Sequence, residues 1–238
     1  KVRAALSGAA IDVLVQRAGP RKKRLLVADL EATVIENEML DELADLIGLY
    51  PRVAAITRRA MNGEIDFHSA LAERVALLAG APASMLDAAA ARIRIAPGAA
   101  PLVATMRRNG AVTALVSGGF AIFAEPVAEW LGFDHVVANR LDVAGGRILG
   151  TVPPPVVNGE EKRRTLLALA AAHGIAPAET LAVGDGANDL PMLDAAGLGV
   201  AFHAKPRVAA AAHWRLDHAD LAGLLYAQGY RREEFALS

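Results

Sequence analysis

The sequence has no cysteine, no long apolar run, no internal repeat and almost no net charge. Each absence removes a class of function. Zero cysteines exclude a disulfide scaffold and fit a reducing cytoplasm. No stretch approaches the roughly 20 apolar residues of a spanning helix, so no membrane insertion is expected. A formal charge of −1, with the arginines scattered, leaves no electrostatic footprint for nucleic acid or an anionic membrane. The one basic run, residues 21–24, precedes the first apolar segment and reads as a solvated linker. What remains is 238 residues, 54% hydrophobic, enough for one large domain or a core with a small insertion.

Strand-like apolar runs at 25–28, 112–116, 135–138, 180–183 and 198–201 are interleaved with helix-like segments near 99–109, 120–131, 160–173 and 188–196. Such alternation predicts βαβ units and a mostly parallel sheet, an α/β fold. Between the first two strands the pattern is helical throughout. Leu40, Leu43, Ala44 and Ile47 share a face before Gly48; Pro51 opens a second helix, Asp66 caps a third running to Gly80, and Pro82 begins a fourth. The chain rejoins the core at Ala96-Pro97-Gly98. Residues 141–152, centred on Gly145-Gly146, predict a hairpin, and Ala-rich tracts such as 209–212 are helix formers. Residues 1–20, alternating at 11–16 and then reaching Gly19-Pro20, read as the remnant of an N-terminal segment or domain. The expected division is a core of 21–36 plus 97–238, with helices inserted at 37–96.

The first apolar run stops at two carboxylates, Asp29 and Glu31. In open α/β sheets chemistry sits at the strands' carboxyl ends. If the backbone stays extended through Leu30, both acids point the same way. That is costly unless a cation lies between them or one of them handles protons. A solvated acidic turn would be the plain alternative. A second strand, however, breaks at Gly184 into Asp185, Asn188 and Asp189, acids that could share a hard cation such as Mg²⁺ with Asp29. Between the two lie Ser117-Gly118-Gly119, a hydroxyl and flexible turn able to offer N–H groups to an anion, and Lys162 opening a helix. With five lysines against twenty arginines, a lysine there is less readily filler.

Nucleophilic carboxylate, hydroxyl, lysine and acidic cluster, in that order, resemble the haloacid dehalogenase superfamily of phosphotransferases. The likeness extends to Ala138-Asn-Arg-Leu141, and to Met61-Asn-Gly-Glu-Ile-Asp-Phe67 and Glu73-Arg74-Val-Ala-Leu-Leu78, the 61–78 stretch pointing within it to the phosphoserine phosphatases. The resemblance implies a Rossmann-like core with the inserted helices as a four-helix cap. It also implies hydrolysis of O-phosphoserine, a small-molecule partner, through an aspartyl-phosphate. Asp29 would be the nucleophile and Glu31 the acid/base, with Mg²⁺ on Asp29, Asp185 and the Glu31 carbonyl. Ser117, Gly118 and Lys162 would hold the phosphate, with Asn188 and Asp189 orienting water or touching it. From the cap, Glu38 would take the substrate's amino group and Arg74 its carboxylate, while Met61 and Phe67 screen the phosphate. Met and Phe at helical spacing are also ordinary core residues, and Glu38 could equally pair with a neighbouring arginine. Glu31 departs from the pattern, which carries Asp there. One extra methylene moves the carboxyl by ~1.5 Å, and a 1 Å misplacement can cost about 10²-fold in rate. Passing the phosphoryl group to another small alcohol, or binding phosphoserine without turnover, are the alternative functions.

Overall fold

The computed structural model describes residues 8–16, 19, 21–61 and 64–236, Met61 in its backbone only. The first strand, β1 (Leu25–Ala28), is followed by four helices: α1 (Met39–Leu46), α2 (Tyr50–Met61), α3 (Phe67–Ala76) and α4 (Ser84–Ala90). The chain returns through α5 (Ala99–Arg108) to β2 (Val112–Phe120), α6 (Ala121–Leu131) and β3 (His135–Asn139). A hairpin of β4 (Val143–Ala144) and β5 (Arg147–Ile148) precedes α7 (Gly159–Ala172) and β6 (Thr180–Gly184). The remaining elements are α8 (Leu190–Ala195), β7 (Leu198–Phe202), α9 (Pro206–Ala211), β8 (Trp214–Leu216) and α10 (Gly223–Ala227).

Six strands pair in parallel in the order β3-β2-β1-β6-β7-β8. β1 is apolar throughout because both of its faces are covered: Leu26 and Ala28 pack into one layer, Leu25 and Val27 into the other. The strand order reverses where β1 lies between β2 and β6. The crevice outside the carboxyl ends at such a switch point is where open α/β sheets bind ligands.

The four inserted helices are attached by a two-chain neck. Ile35 bridges Ile95, and Glu36 and Ala96 donate their N–H groups to Arg94 and Val34. Buried Asn37 clamps the neck, its amide donating to Glu42 and to the Arg92 carbonyl while its Oδ1 accepts the Arg94 N–H. A second attachment runs through the hairpin. Gly80 and Ala83 donate to the carbonyls of Ile148 and Gly146, and Ile148 donates to Ala81. At the other edge, Asp12 accepts three N–H groups, from Asp217, His218 and Ala219, at 2.7, 3.1 and 2.7 Å.

Three features differ from the sequence reading. Ser117-Gly-Gly is not a turn that ends β2: the strand runs on to Phe120, and the register jump between Ser117 and Phe120 makes Gly118 and Gly119 a bulge. β8 and α10 had no counterpart, since three- and five-residue elements are too short to show a period.

Candidate active site

β1 ends at Asp29 because its carboxylate folds back to accept the Leu30 N–H at 2.7 Å, while its own N–H still bonds Val183 of β6 at 3.0 Å. The backbone does not stay extended through this stretch. Ile35 donates to the Leu30 carbonyl across a wide turn, and Ala32 is left-handed at φ 51°. Lys162 reaches Asp29 from the first turn of α7, whose start is fixed by Asn158 accepting the Glu161 N–H. Its Nζ stands 2.7 Å from Asp29 Oδ1 and 2.7 Å from Asp189 Oδ1, fully buried. Asp189 is held in turn by the Gly186 N–H on its other oxygen, at 2.9 Å. Gly184 makes room for it: a Cβ there would lie 2.3 Å from the Asp189 carboxyl carbon.

Asp29, Asp185 and Asp189 each present an oxygen within 4.8 Å of the others. Burial raises Asp29 well above the usual carboxylate range; Asp189 and Asp185 add to this and Lys162 opposes it. Burial, with Asp189 and Glu38, pushes Asp185 up to about 7. Burial disfavours charge on Lys162, but Asp189 and Asp29 outweigh it and keep the ammonium. Ionised together, the three carboxylates would outnumber the one ammonium, which is why two of them are pushed toward the neutral form. Crowded, buried oxygen donors of this kind fit a hard divalent cation.

A second group faces this one from the inserted helices. Half-buried Glu31 accepts the N–H of Met39, at the start of α1, at 2.9 Å. Burial and Glu38 push it up to about 8, against Met39, Arg74 and Lys162. Glu38 precedes α1 without capping it and pairs with no arginine among the described residues. Its carboxyl is raised by the desolvation of the cleft, opposed by Lys205 and Arg74. Arg74 donates Nε to the Ala70 carbonyl at 3.2 Å and, among the described residues, forms no salt bridge. Two turns earlier on α3, Phe67 lies over the bulge: a Cβ on Gly118 would meet its ring at 3.0 Å and the Asn188 amide at 3.6 Å. Ser117, buried at the bulge, accepts the Gly119 N–H at 2.9 Å. Met61 ends α2, and its side chain lies outside the described atoms.

Three contributors went unassigned in the sequence. Asn139, buried, ties the Gly118 carbonyl at 2.8 Å to the Val157 N–H at 2.7 Å, joining the bulge to the segment leading into α7. Lys205, exposed beyond β7, acts on Glu38, Asp41 and Asp185. Asp41, raised by burial, adds a further acid to the cleft. The scarcity of lysine that singled out Lys162 applies equally to Lys205.

The family model for haloacid dehalogenase-like hydrolases matches residues 26–194, from β1 through the acidic cluster. The chain belongs to that family. Phosphoserine phosphatase of Streptomyces coelicolor is 44% identical over 226 residues, covering 94% of this chain and 55% of that protein. The chain thus spans about half the length of the first curated relatives it matches. Phosphoserine phosphatase of Lactococcus lactis is 42% identical over 203 residues, 85% of this chain and 94% of its own. A substrate-bound phosphoserine phosphatase complex superposes with a TM-score of 0.81 at 38% identity, covering 86% of this chain and 98% of that chain. No described helix is long and apolar enough to cross a membrane.

Proposed function

We propose that this hydrolase is a Mg²⁺-dependent phosphoserine phosphatase serving L-serine biosynthesis. It would cleave O-phospho-L-serine to L-serine and phosphate through an aspartyl-phosphate on Asp29. The observation that carries this is the pairing of a buried, ammonium-bound Asp29 with a protonatable Glu31 beside it. Support comes also from relatives named phosphoserine phosphatase and from a solved analogue of that enzyme's phospho-aspartyl intermediate, 38% identical.

In the first step an Asp29 oxygen attacks phosphorus and the P–O bond to serine breaks. Glu31, protonated at neutral pH, gives its proton to the departing alkoxide. In the second step water attacks the same phosphorus, Glu31 takes the proton back, and Asp29 is released. Lys162, Ser117, the Gly118 N–H and Asn188 hold the non-bridging oxygens where charge develops. Asp189 fixes the Lys162 ammonium and the Gly186 turn. Mg²⁺, on Asp29, Asp185 and the Glu31 carbonyl, would neutralise the charge between the nucleophile and the phosphate dianion. The helices inserted at 37–96 act as a cap over the cleft. Arg74 forks onto the substrate carboxylate, Glu38 takes the ammonium, and Phe67 and Met61 keep water from the phosphate.

A steady-state assay of phosphate and serine release from O-phospho-L-serine, with and without Mg²⁺, tests this. Stoichiometric release of both products that stops in excess chelator is expected. Serine without free phosphate in the presence of a second alcohol would mean phosphotransfer, and no turnover would mean a binding module.

A further inference from the structure

The Glu31 carboxyl is confined on two sides. One oxygen accepts the Met39 N–H at 2.9 Å. The other side presses on Gly119 in the β2 bulge, where a Cβ would stand 2.8 Å from Oε2 and 2.9 Å from both Cδ and Oε1. Those separations lie well inside ordinary non-bonded contact. The backbone itself does not demand glycine at this position. Its φ lies outside the left-handed range, and its N–H is bonded to Ser117 Oγ. The three atoms nearest to the missing side chain all belong to Glu31. They are the far end of a flexible chain, so an added methyl would move the carboxyl rather than the fold.

We propose that Gly119 is a positioning residue for Glu31. Its bare Cα is the space that lets a carboxyl one methylene longer than aspartate turn into the site while tethered to the first residue of α1. The proposal rests on the reading of Glu31 as acid/base.

Gly119→Ala tests it in wild-type and Glu31→Asp backgrounds, on O-phospho-L-serine and on p-nitrophenyl phosphate, in the Mg²⁺-loaded protein. Displacing the acid should lower kcat/KM for phosphoserine by about 10- to 10²-fold. The nitrophenyl ester, whose leaving group barely needs a proton, should lose less than about threefold. In the Glu31→Asp background the shorter acid leaves room, and adding Gly119→Ala should change phosphoserine turnover by less than about threefold. Thermal melts should coincide. Equal losses on both substrates, or the same loss in both backgrounds, would overturn the proposal. If Gly119→Ala alone unfolds, the double variant must recover both fold and activity; its failure to do so overturns the proposal too. Glu31→Gln separates the two claims. If it discriminates by leaving group and Gly119→Ala does not, the positioning role alone falls. If it does not discriminate, the acid/base reading falls and takes the positioning role with it.

Discussion

Lys162 carries the charge balance of the cleft, since its single ammonium is shared by Asp29 and Asp189 at equal distance. Breaking a buried ion pair by removing one partner typically costs about 3–5 kcal/mol, because the remaining charge is left unpaired. Lys162→Met should show that loss at pH 8 and a smaller one at pH 5. Lys162 opposes the rise of the Asp29 carboxyl, so without the ammonium Asp29 binds its proton still more tightly folded than unfolded, and stability falls further as pH rises. Urea titrations at the two pH values measure it; a pH-independent loss would contradict the shared-ammonium account. Arg74, free of salt bridges among the described residues, should matter to substrate choice. Arg74→Ala is expected to lower kcat/KM for phosphoserine at least tenfold more than for phosphoethanolamine, which lacks the carboxylate. Equal losses would make Arg74 structural. At this scale the acids were legible because each interrupts an apolar run, as Asp29 and Asp185 do. Asp41 and Lys205 were not, because their partners lie far away in sequence; Asn139 stood inside the 138–141 motif, but no local pattern showed its ties to Gly118 and Val157.

Among the elements, the neck decides how the inserted helices present Glu38, Phe67 and Arg74 to the core. Buried Asn37 clamps it with three side-chain hydrogen bonds, one to Glu42 and two to the returning strand at Arg92 and Arg94. Asn37→Ala should cost about 1–3 kcal/mol, the range for leaving buried groups unsatisfied. It should raise KM for phosphoserine more than it lowers kcat. A destabilised variant with unchanged KM would show that the hairpin contact at Gly80 and Ile148 suffices to hold the helices. Apolar runs and helix caps announced most elements: β1, β6 and β7 are buried on both faces, and Asp66 caps α3 through the Ser69 N–H. The bulge at Gly118 and Gly119 was hidden because Ser-Gly-Gly is also a common turn sequence. Its geometry is set by β3 pairing alongside, which no local pattern shows.

For the whole molecule, the crowded acids link stability to pH and to the cation. Asp185 is raised from 3.8 to about 7 and Glu31 from 4.5 to about 8. Their folded forms hold protons that the unfolded chain has already released. Their stabilisation is therefore complete below about pH 4 and lost as pH rises through 7 and 8. A cation that binds the ionised carboxylates should offset the loss. With chelator present, Tm should fall between pH 5 and pH 8.5; with saturating Mg²⁺ the fall should be smaller. Parallel melting curves in the two conditions would mean that the cluster does not bind the ion.

The central claim is that Asp29 carries the phosphoryl group and Glu31 moves the protons. It is tested most directly by acid-quenching Glu31→Gln during turnover of p-nitrophenyl phosphate with Mg²⁺ and locating any covalent phosphate by mass spectrometry. Without its base, attack of water should slow while formation of the intermediate is spared. A burst of nitrophenol should then match one phosphoryl group per chain, attached to Asp29 and absent from Asp29→Asn. No burst, or a phosphoryl group on any other residue, would contradict the account.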